Sequence, residues 1–295
     1  MKEIQHPAAD MLSAEGIRGY LTEKAVPYGK RLSVFDTVDS TNQMAKEWAA
    51  EGSPHGTVIV ADRQTRGRGR YHRRFESPTG GLYMSLILEP PQLPFPSVTF
   101  MTSFAAVAVS EAVEEVTGRL PDIKWVNDVL LDGKKVCGIL TEGVTHPQTG
   151  AITRLVVGIG VNIHERKADF PEELREIAAS LDPEWRIPDI RNRLAAGIIS
   201  RLLAGDGVTQ AEVLARYRSR LSMLGREVTV IRVGQEPYRG TAVDLDPDGA
   251  LIVRREDGSL DVLSTGEIHV RETRPSVGSE KVEECSPAER AGMDF

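Results

Sequence analysis

Six arginines, Arg63, Arg66, Arg68, Arg70, Arg73 and Arg74, fall within a dozen residues, and Gly67 and Gly69 interrupt them. A guanidinium stays charged at neutral pH and needs carboxylate, phosphate or water around it, so no core can accommodate this stretch. The chain must therefore come to the surface here. On either side it reads as buried strand: Thr57-Val58-Ile59-Val60-Ala61 leads in, and Leu82-Tyr83-Met84-Ser85-Leu86-Ile87-Leu88 leads out after Gly80-Gly81. Two apolar strands joined by a loop that repels itself predict a sheet with the loop slung from its rim. That is where a rigid scaffold displays binding residues. The mutual repulsion predicts a loop that stays mobile until an anion neutralises it.

The charge elsewhere narrows the anion. The 295 residues carry a formal net charge of −7, so the arginines form a local basic spot on an acidic molecule. General nucleic-acid binding spreads positive charge over a face, and a small anionic ligand suits this distribution better. Cys137 and Cys285 are the two cysteines, far apart and without a CxxC spacing, which points to neither a disulfide framework nor a zinc site. The opening residues hold no apolar signal region, and no run approaches 18 apolar residues, so the expectation is a cytoplasmic protein without a membrane span.

The pattern divides the chain at about residues 30, 223 and 271. Residues 1–30 form a short extension with a weak helical period at Met11, Leu12, Ile17 and Leu21. Residues 31–223 hold a strand at Arg31–Phe35, the two strands flanking the arginines, and a long apolar helix near 97–117. They continue with apolar runs around Asp132-Gly133 and at Leu155–Ile163, then helical segments near 171–181, 188–204 and 208–223. Asp-Gly between apolar runs is a strong hairpin signal. Ser40 with Gln43, and Thr209 with Glu212, have capping-box spacing, so capping accounts for Ser40 and Thr41 about as well as a ligand role does. Residues 224–271 hold five short strands separated by Gly-bearing turns, the signature of a small antiparallel barrel. Residues 272–295, rich in Pro, Ser, Glu and Lys, read as a disordered tail. The predicted fold is α+β: a mixed sheet flanked by helices, with a small barrel behind it.

A dense arginine cluster, Lys135, and an Asn127-Asp128 pair able to hold a divalent metal are the parts needed to attack a nucleotide α-phosphate and release pyrophosphate. Asn127-Asp128 interrupts an otherwise buried-looking run, which costs free energy unless partners are found. No phosphate-binding P-loop, dinucleotide fingerprint or Ser/His/Asp arrangement is apparent, and His72 reads as a surface group. The residues by themselves lead as far as a phosphorylated ligand bound on a sheet-anchored loop, with activation of a carboxylate as one use.

In order along the chain, Asp39-Ser40-Thr41-Asn42, Gln64 through Arg73 with its G-R-G-R-x-x-R pattern, Ser77-Pro78, Lys124-Trp125-Val126-Asn127-Asp128, Lys135-Val136-Cys137-Gly138-Ile139-Leu140 and Gly158-Ile159-Gly160-Val161-Asn162 resemble the motifs of the biotin protein ligases. Val126 stands where that pattern has proline, a departure expected to loosen the turn without removing a ligand. The resemblance implies a ligase that joins biotin and ATP into biotinyl-5'-AMP with Mg2+, then passes the biotinyl group to a lysine of a biotin carboxyl carrier protein. It implies that Ser40, Thr41, Asn42, Gln64, Gly67, Arg68, Arg70, Lys135, Gly138 and Gly158 hold biotin. Arg68, Arg70, Arg73, Asn127, Lys135 and Asn162 would hold the nucleotide, and Asn127 with Asp128 the metal. Lys135, Arg68, Arg70 and Asp128 would carry the chemistry, Asp128 as a base for the incoming lysine. The short N-terminus leaves no room for the DNA-binding winged helix of some relatives, so no DNA binding is expected, while a homodimer stays open. The rival readings are a lipoate-protein ligase or octanoyltransferase, which share the fold, and a non-catalytic biotin-sensing regulator.

Overall fold

The computed structural model describes residues 10–90, 98–146, 148–203, 208–232, 236–263 and 268–272. The first nine residues, Cys285 and the expected disordered tail beyond Glu272 lie outside the described residues.

A seven-stranded sheet organises the larger part. Its strands are β1 (Leu32–Val38), β2 (Thr57–Gln64), β3 (Leu82–Leu88), β4 (Asp122–Lys124), β5 (Asp128–Leu131), β6 (Lys134–Thr145) and β7 (Ile152–Val161), in the order β1-β2-β3-β7-β6-β5-β4. Among these strands only β1 and β2 pair in parallel, joined by the crossover helix α2 (Thr41–Ala50). The two strands flanking the arginines are neighbours, with Ala61 opposite Tyr83. Every residue of β3 is buried, as a central strand covered on both faces requires. At the β5–β6 turn Asp132 and Gly133 both take positive φ, 51° and 74°, the backbone a two-residue hairpin needs.

Each face of the sheet has its own cover. The long helix α3 (Val98–Thr117) buries thirteen residues and packs with α4 (Ile190–Leu203) and α5 (Gln210–Ser219) over one face. Helix α2 lies on the other, where Ala45 and Ala49 meet Ile59, Ile87 and Val156. Ser40 caps α2 through Gln43 N, but the Gln43 side chain bonds Glu47 instead of closing the box. Thr209 and Glu212 do close theirs.

Sequence and structure part company at 171–181. The expected helix is only a short turn at Glu172–Leu174, after which the chain runs irregularly and bridges Lys135 through Ala178 and Ala179. Pairing to the β6 edge competes with helix for those backbone groups. The short N-terminal helix is α1 (Ala14–Gly19), capped by Ser13.

The five expected C-terminal strands form a second sheet of β8 (Glu227–Arg232), β9 (Tyr238–Leu245), β10 (Leu251–Arg255), β11 (Leu260–Leu263) and β12 (Ile268–Glu272), in the order β11-β10-β9-β8-β12. Trp125 Nε1 donates to Gly249 O at 3.0 Å, and Arg218 pairs with Asp244 at 2.7 Å, tying this sheet to the first.

Candidate active site

Two rows of backbone on the α2 face of the sheet build the floor of a pocket. In the first row Ser85 of β3, Gly158 of β7 and Leu140 of β6 stand side by side. A Cβ at Gly158 would overlap Asn42 Oδ1, so this glycine lets the Asn42 side chain lie flat across β7. Asn42 then accepts from Ser85 Oγ at 2.7 Å and donates to Leu140 O and Glu142 Oε2, both at 3.1 Å. Two residues along, Tyr83, Gly160, Gly138 and Asp128 form the second row. A Cβ on Gly160 would sit 2.5 Å from the Phe75 ring, which lies over this row and meets Tyr83 edge-on at 6.4 Å.

The wall at the N-terminus of α2 is hydrogen-bonded throughout. Thr41 N donates to Gln64 Oε1 at 2.8 Å, Gln64 Nε2 to Ser77 Oγ at 2.9 Å, and Ser77 Oγ to Phe75 O at 3.0 Å. The positive end of α2 points the same way and favours an electron-rich group there. Ser40, Thr41, Asn42, Gln64, Arg68, Asn127, Gly138 and Gly158, all expected from the sequence, line this same pocket.

Above the floor, the arginine loop folds back on itself. Arg68 and Arg74 form a bridge, Gly69 N donates to Arg73 O at 2.7 Å, and Phe75 N donates to Gly67 O at 3.1 Å. The repulsion expected of six arginines is answered by protein anions and polar groups. Arg68 donates to Gln43 Oε1 at 2.9 Å and stands 3.9 Å from Glu142, while Arg70 donates to Asn127 Oδ1 at 3.2 Å. Lys135 Nζ lies 2.7 Å from Asp128 Oδ1, close but poorly aligned for a hydrogen bond, and 5.7 Å from the Phe75 ring centre. The loop's root is firmer: Asp62 accepts from Gly80 N and from Arg191, which also binds the buried Asp10.

Titration sets the anion at the back of the pocket. Burial would raise the Glu142 carboxyl, but hydrogen bonds from Lys46 and Asn42 outweigh it and hold the group below the usual range. Burial pushes the Cys137 thiol up, which removes it as a nucleophile.

Arg70, Lys135 and Asp128 stand beside the lining rather than in it, and three more of the residues that the sequence pattern assigns to the site sit elsewhere. Arg73 is exposed, and its backbone N–H closes a turn to Arg70 O. Asn162 is buried and donates to Ala179 O at 3.2 Å, tying the 171–181 segment to β7. Gly67 packs against Phe75 O and Ser77 Oγ beneath the loop. Phe75, Ser85 and Glu142 belong to the site and do not stand out in the sequence; polar Ser85 inside an otherwise apolar central strand is the one readable signal. The Trp125–Val126 peptide is cis, and Tyr217 Oη donates to Val126 O at 2.9 Å.

Asn127 and Asp128 do not fit a metal site made by the protein alone. Their oxygens face Arg70 and Lys135, and among the described residues no three His, Cys, Asp or Glu side chains converge on a metal position.

A pocket with a hydrogen-bonded polar wall at one end and cations at the other fits an acid-activating ligase on a mixed sheet. The chain belongs to the biotin/lipoate A/B protein ligase family, whose model matches residues 34–162, and residues 223–271 match the biotin protein ligase C-terminal domain. It is 34% identical over 264 residues to the bifunctional ligase/repressor BirA of Bacillus subtilis, covering 83% of this chain and 78% of that one. It is 31% identical to the biotin–[acetyl-CoA-carboxylase] ligase of Mycobacterium tuberculosis, covering 82% of this chain and 90% of the other. A biotin protein ligase from Aquifex aeolicus, solved with biotin and ATP, superposes with a TM-score of 0.69 at 32% identity, over 82% of this chain and 99% of that one.

Proposed function

We propose that the protein is an ATP-dependent biotin–[biotin carboxyl-carrier protein] ligase. The observation that carries the reading is a pocket with a neutral, hydrogen-bonded end and a cationic end, where Arg68 lines it and Arg70 and Lys135 stand just outside the lining. The neutral end, Ser40, Thr41, Asn42 and Gln64 over Gly158, suits biotin's fused rings and ureido group. The cationic end, Arg68, Arg70 and Lys135, suits its carboxylate and the phosphates. In the first step a biotin carboxylate oxygen attacks the ATP α-phosphorus, and the bond to pyrophosphate breaks. Lys135 and Arg70 stabilise the charge that develops on the phosphorus oxygens. In the second, the carrier's lysine amine attacks the acyl carbon, AMP leaves, and Asp128 takes the amine proton.

ATP enters as its magnesium complex, a substrate whose own phosphates supply most of the ion's ligands. On this reading Asn127 borders the nucleotide, while Arg73 and Asn162 reach it only if the loop and the β7 end move. Residues 31–223 would carry the chemistry and 224–271 would support it. The working place is the cytoplasm, and the partner is the carrier domain; a net charge of −7 favours it over DNA. Among the described residues no helix is long and apolar enough to cross a membrane.

Pyrophosphate exchange tests the reading directly. Labelled pyrophosphate should enter ATP in the presence of biotin and not of lipoate or octanoate. Exchange driven by lipoate alone would replace this function with the rival acyl ligase.

A further inference from the structure

The buried hydrogen bonds behind the pocket can run in only one direction. Asn42 Nδ2 faces two groups that only accept, Leu140 O and the ionised Glu142. Asn42 Oδ1 must therefore be the acceptor facing Ser85, and Ser85 spends its single hydrogen on it at 2.7 Å. Ser85 Oγ also lies 2.8 Å from Thr41 Oγ1. With its own proton committed, Ser85 can only accept there, so the Thr41 proton points back into the sheet. Thr41's alternative acceptor, Gln64 Oε1, is farther, at 3.2 Å, and already takes Thr41 N–H at 2.8 Å. Thr41 lines the pocket, and Ser85, wholly buried, does not.

We infer that Ser85 is a positioning residue: through the chain Glu142–Asn42–Ser85 it fixes the Thr41 hydroxyl as a hydrogen-bond acceptor, and so selects a ligand that presents an N–H to it. Resting on the ligase reading, this assigns to Thr41 an N–H of the biotin ureido group. It also gives a reason for rejecting acids that have no donor at that place. A hydroxyl left free to turn would serve donors and acceptors alike, and that freedom is what the buried chain removes.

The test compares biotin with its cyclic carbonate analogue, in which ring oxygens replace both ureido N–H groups, by calorimetric titration of the full chain. Wild type should prefer biotin, and Ser85→Ala should narrow that preference by about tenfold, the worth of one well-placed hydrogen bond. In pyrophosphate exchange the same variant should raise the KM for biotin while leaving kcat and the KM for ATP unchanged. Ser85→Cys keeps a side chain of similar shape and loses the hydroxyl's strong hydrogen bonding, and should narrow the preference too if Ser85→Ala does not fold. Lys46→Met, which removes the ion pair on the other Glu142 oxygen, should leave the preference intact. An unchanged preference in both Ser85 variants, even with both ligands bound more weakly, would reduce Ser85 to packing and overturn the inference. Failure of the wild type to bind biotin would remove the ligase reading itself, a result distinguishable from the first.

Discussion

The two ends of the pocket are built on opposite plans. At the sheet end the polar groups are buried or, for Gln64, half-buried, and each named hydrogen bond ends on another fixed group: Thr41 on Gln64, Gln64 on Ser77, Asn42 on Ser85 and Leu140. At the loop end the cations rest on substitutes for a ligand, Arg68 near Glu142, Arg70 on Asn127 and Lys135 on Asp128. The first plan sets shape and donor pattern before a ligand arrives. The second stores charge in pairs that a carboxylate or phosphate can take over. Half-buried ion pairs that water still reaches are weak, so exchanging them costs little, whereas rearranging the buried end would leave polar groups unpaired. Recognition therefore belongs to the buried end, and rate and retention belong to the cationic end, where Lys135 stands on β6 and Arg68 and Arg70 stand on the loop.

The largest expected effect separates the two roles. Lys135→Ala should lower biotin-dependent pyrophosphate exchange by about 10²–10³-fold, as loss of one preorganised cationic donor does, and leave biotin affinity nearly unchanged. Normal exchange by that variant would remove Lys135 from the chemistry. An equal loss of biotin affinity would mean that the two ends do not divide the work as described.

The loop's root comes next. Asp10 is buried against His164 and Arg191, and Arg191 in turn holds Asp62 where the loop begins. Asp10→Asn should cost about 3 kcal/mol of unfolding free energy near neutral pH, since it leaves the buried Arg191 guanidinium short of an anion. Burial works to raise the Asp10 carboxyl, yet the His164 and Arg191 contacts hold it below its ordinary value. Its contribution is thus complete above the ordinary carboxylate range and fades as pH falls through the lowered value. Urea unfolding of wild type and variant should give a constant gap from neutral pH down to that range, then convergence. A gap that widens in acid would contradict this assignment.

A smaller effect probes the sheet end. Gly158→Ala places a methyl where Asn42 Oδ1 lies, and overpacking of this kind costs about 1–3 kcal/mol. Biotin affinity should fall accordingly while the ATP KM holds. A matching fall in ATP affinity would show that the ends are coupled.

The sheet end is also the more legible in the sequence. Ser40, Thr41, Asn42, Gln64, Gly138 and Gly158 come together because each sits where a strand or helix cap fixes it, and strand period and capping chemistry are local signals. The β5–β6 turn is readable for the same reason, since Asp132-Gly133 carries its own backbone preference. Glu142 and Ser85 are hidden because their roles come from register: nothing near Ser85 in sequence says that Gly158 stands opposite it. The 171–181 segment reads as helix because its competitor, the β6 edge, lies some forty residues away. Arg73 and Asn162 come with their motifs, but their side chains depend on how the loop and the end of β7 fold back.

Arg70 gives the mildest and most specific prediction. Its guanidinium reaches Asn127 across the pocket mouth and stacks 5.0 Å from the Tyr71 ring, so it acts as a strap between the loop and β5. Arg70→Gly should still form biotinyl-AMP, because Lys135 and Arg68 remain. It should release the adenylate about tenfold faster, the worth of one charge-assisted hydrogen bond. Released acyl adenylate reacts with any exposed amine, so the readout is biotin on bystander lysines when variant, ATP and biotin are mixed with an unrelated protein. Retention equal to wild type would mean that the loop only binds phosphate and does not close over the intermediate. Slower formation with unchanged release would confine Arg70 to stabilising charge in the first step beside Lys135 and would remove the strap.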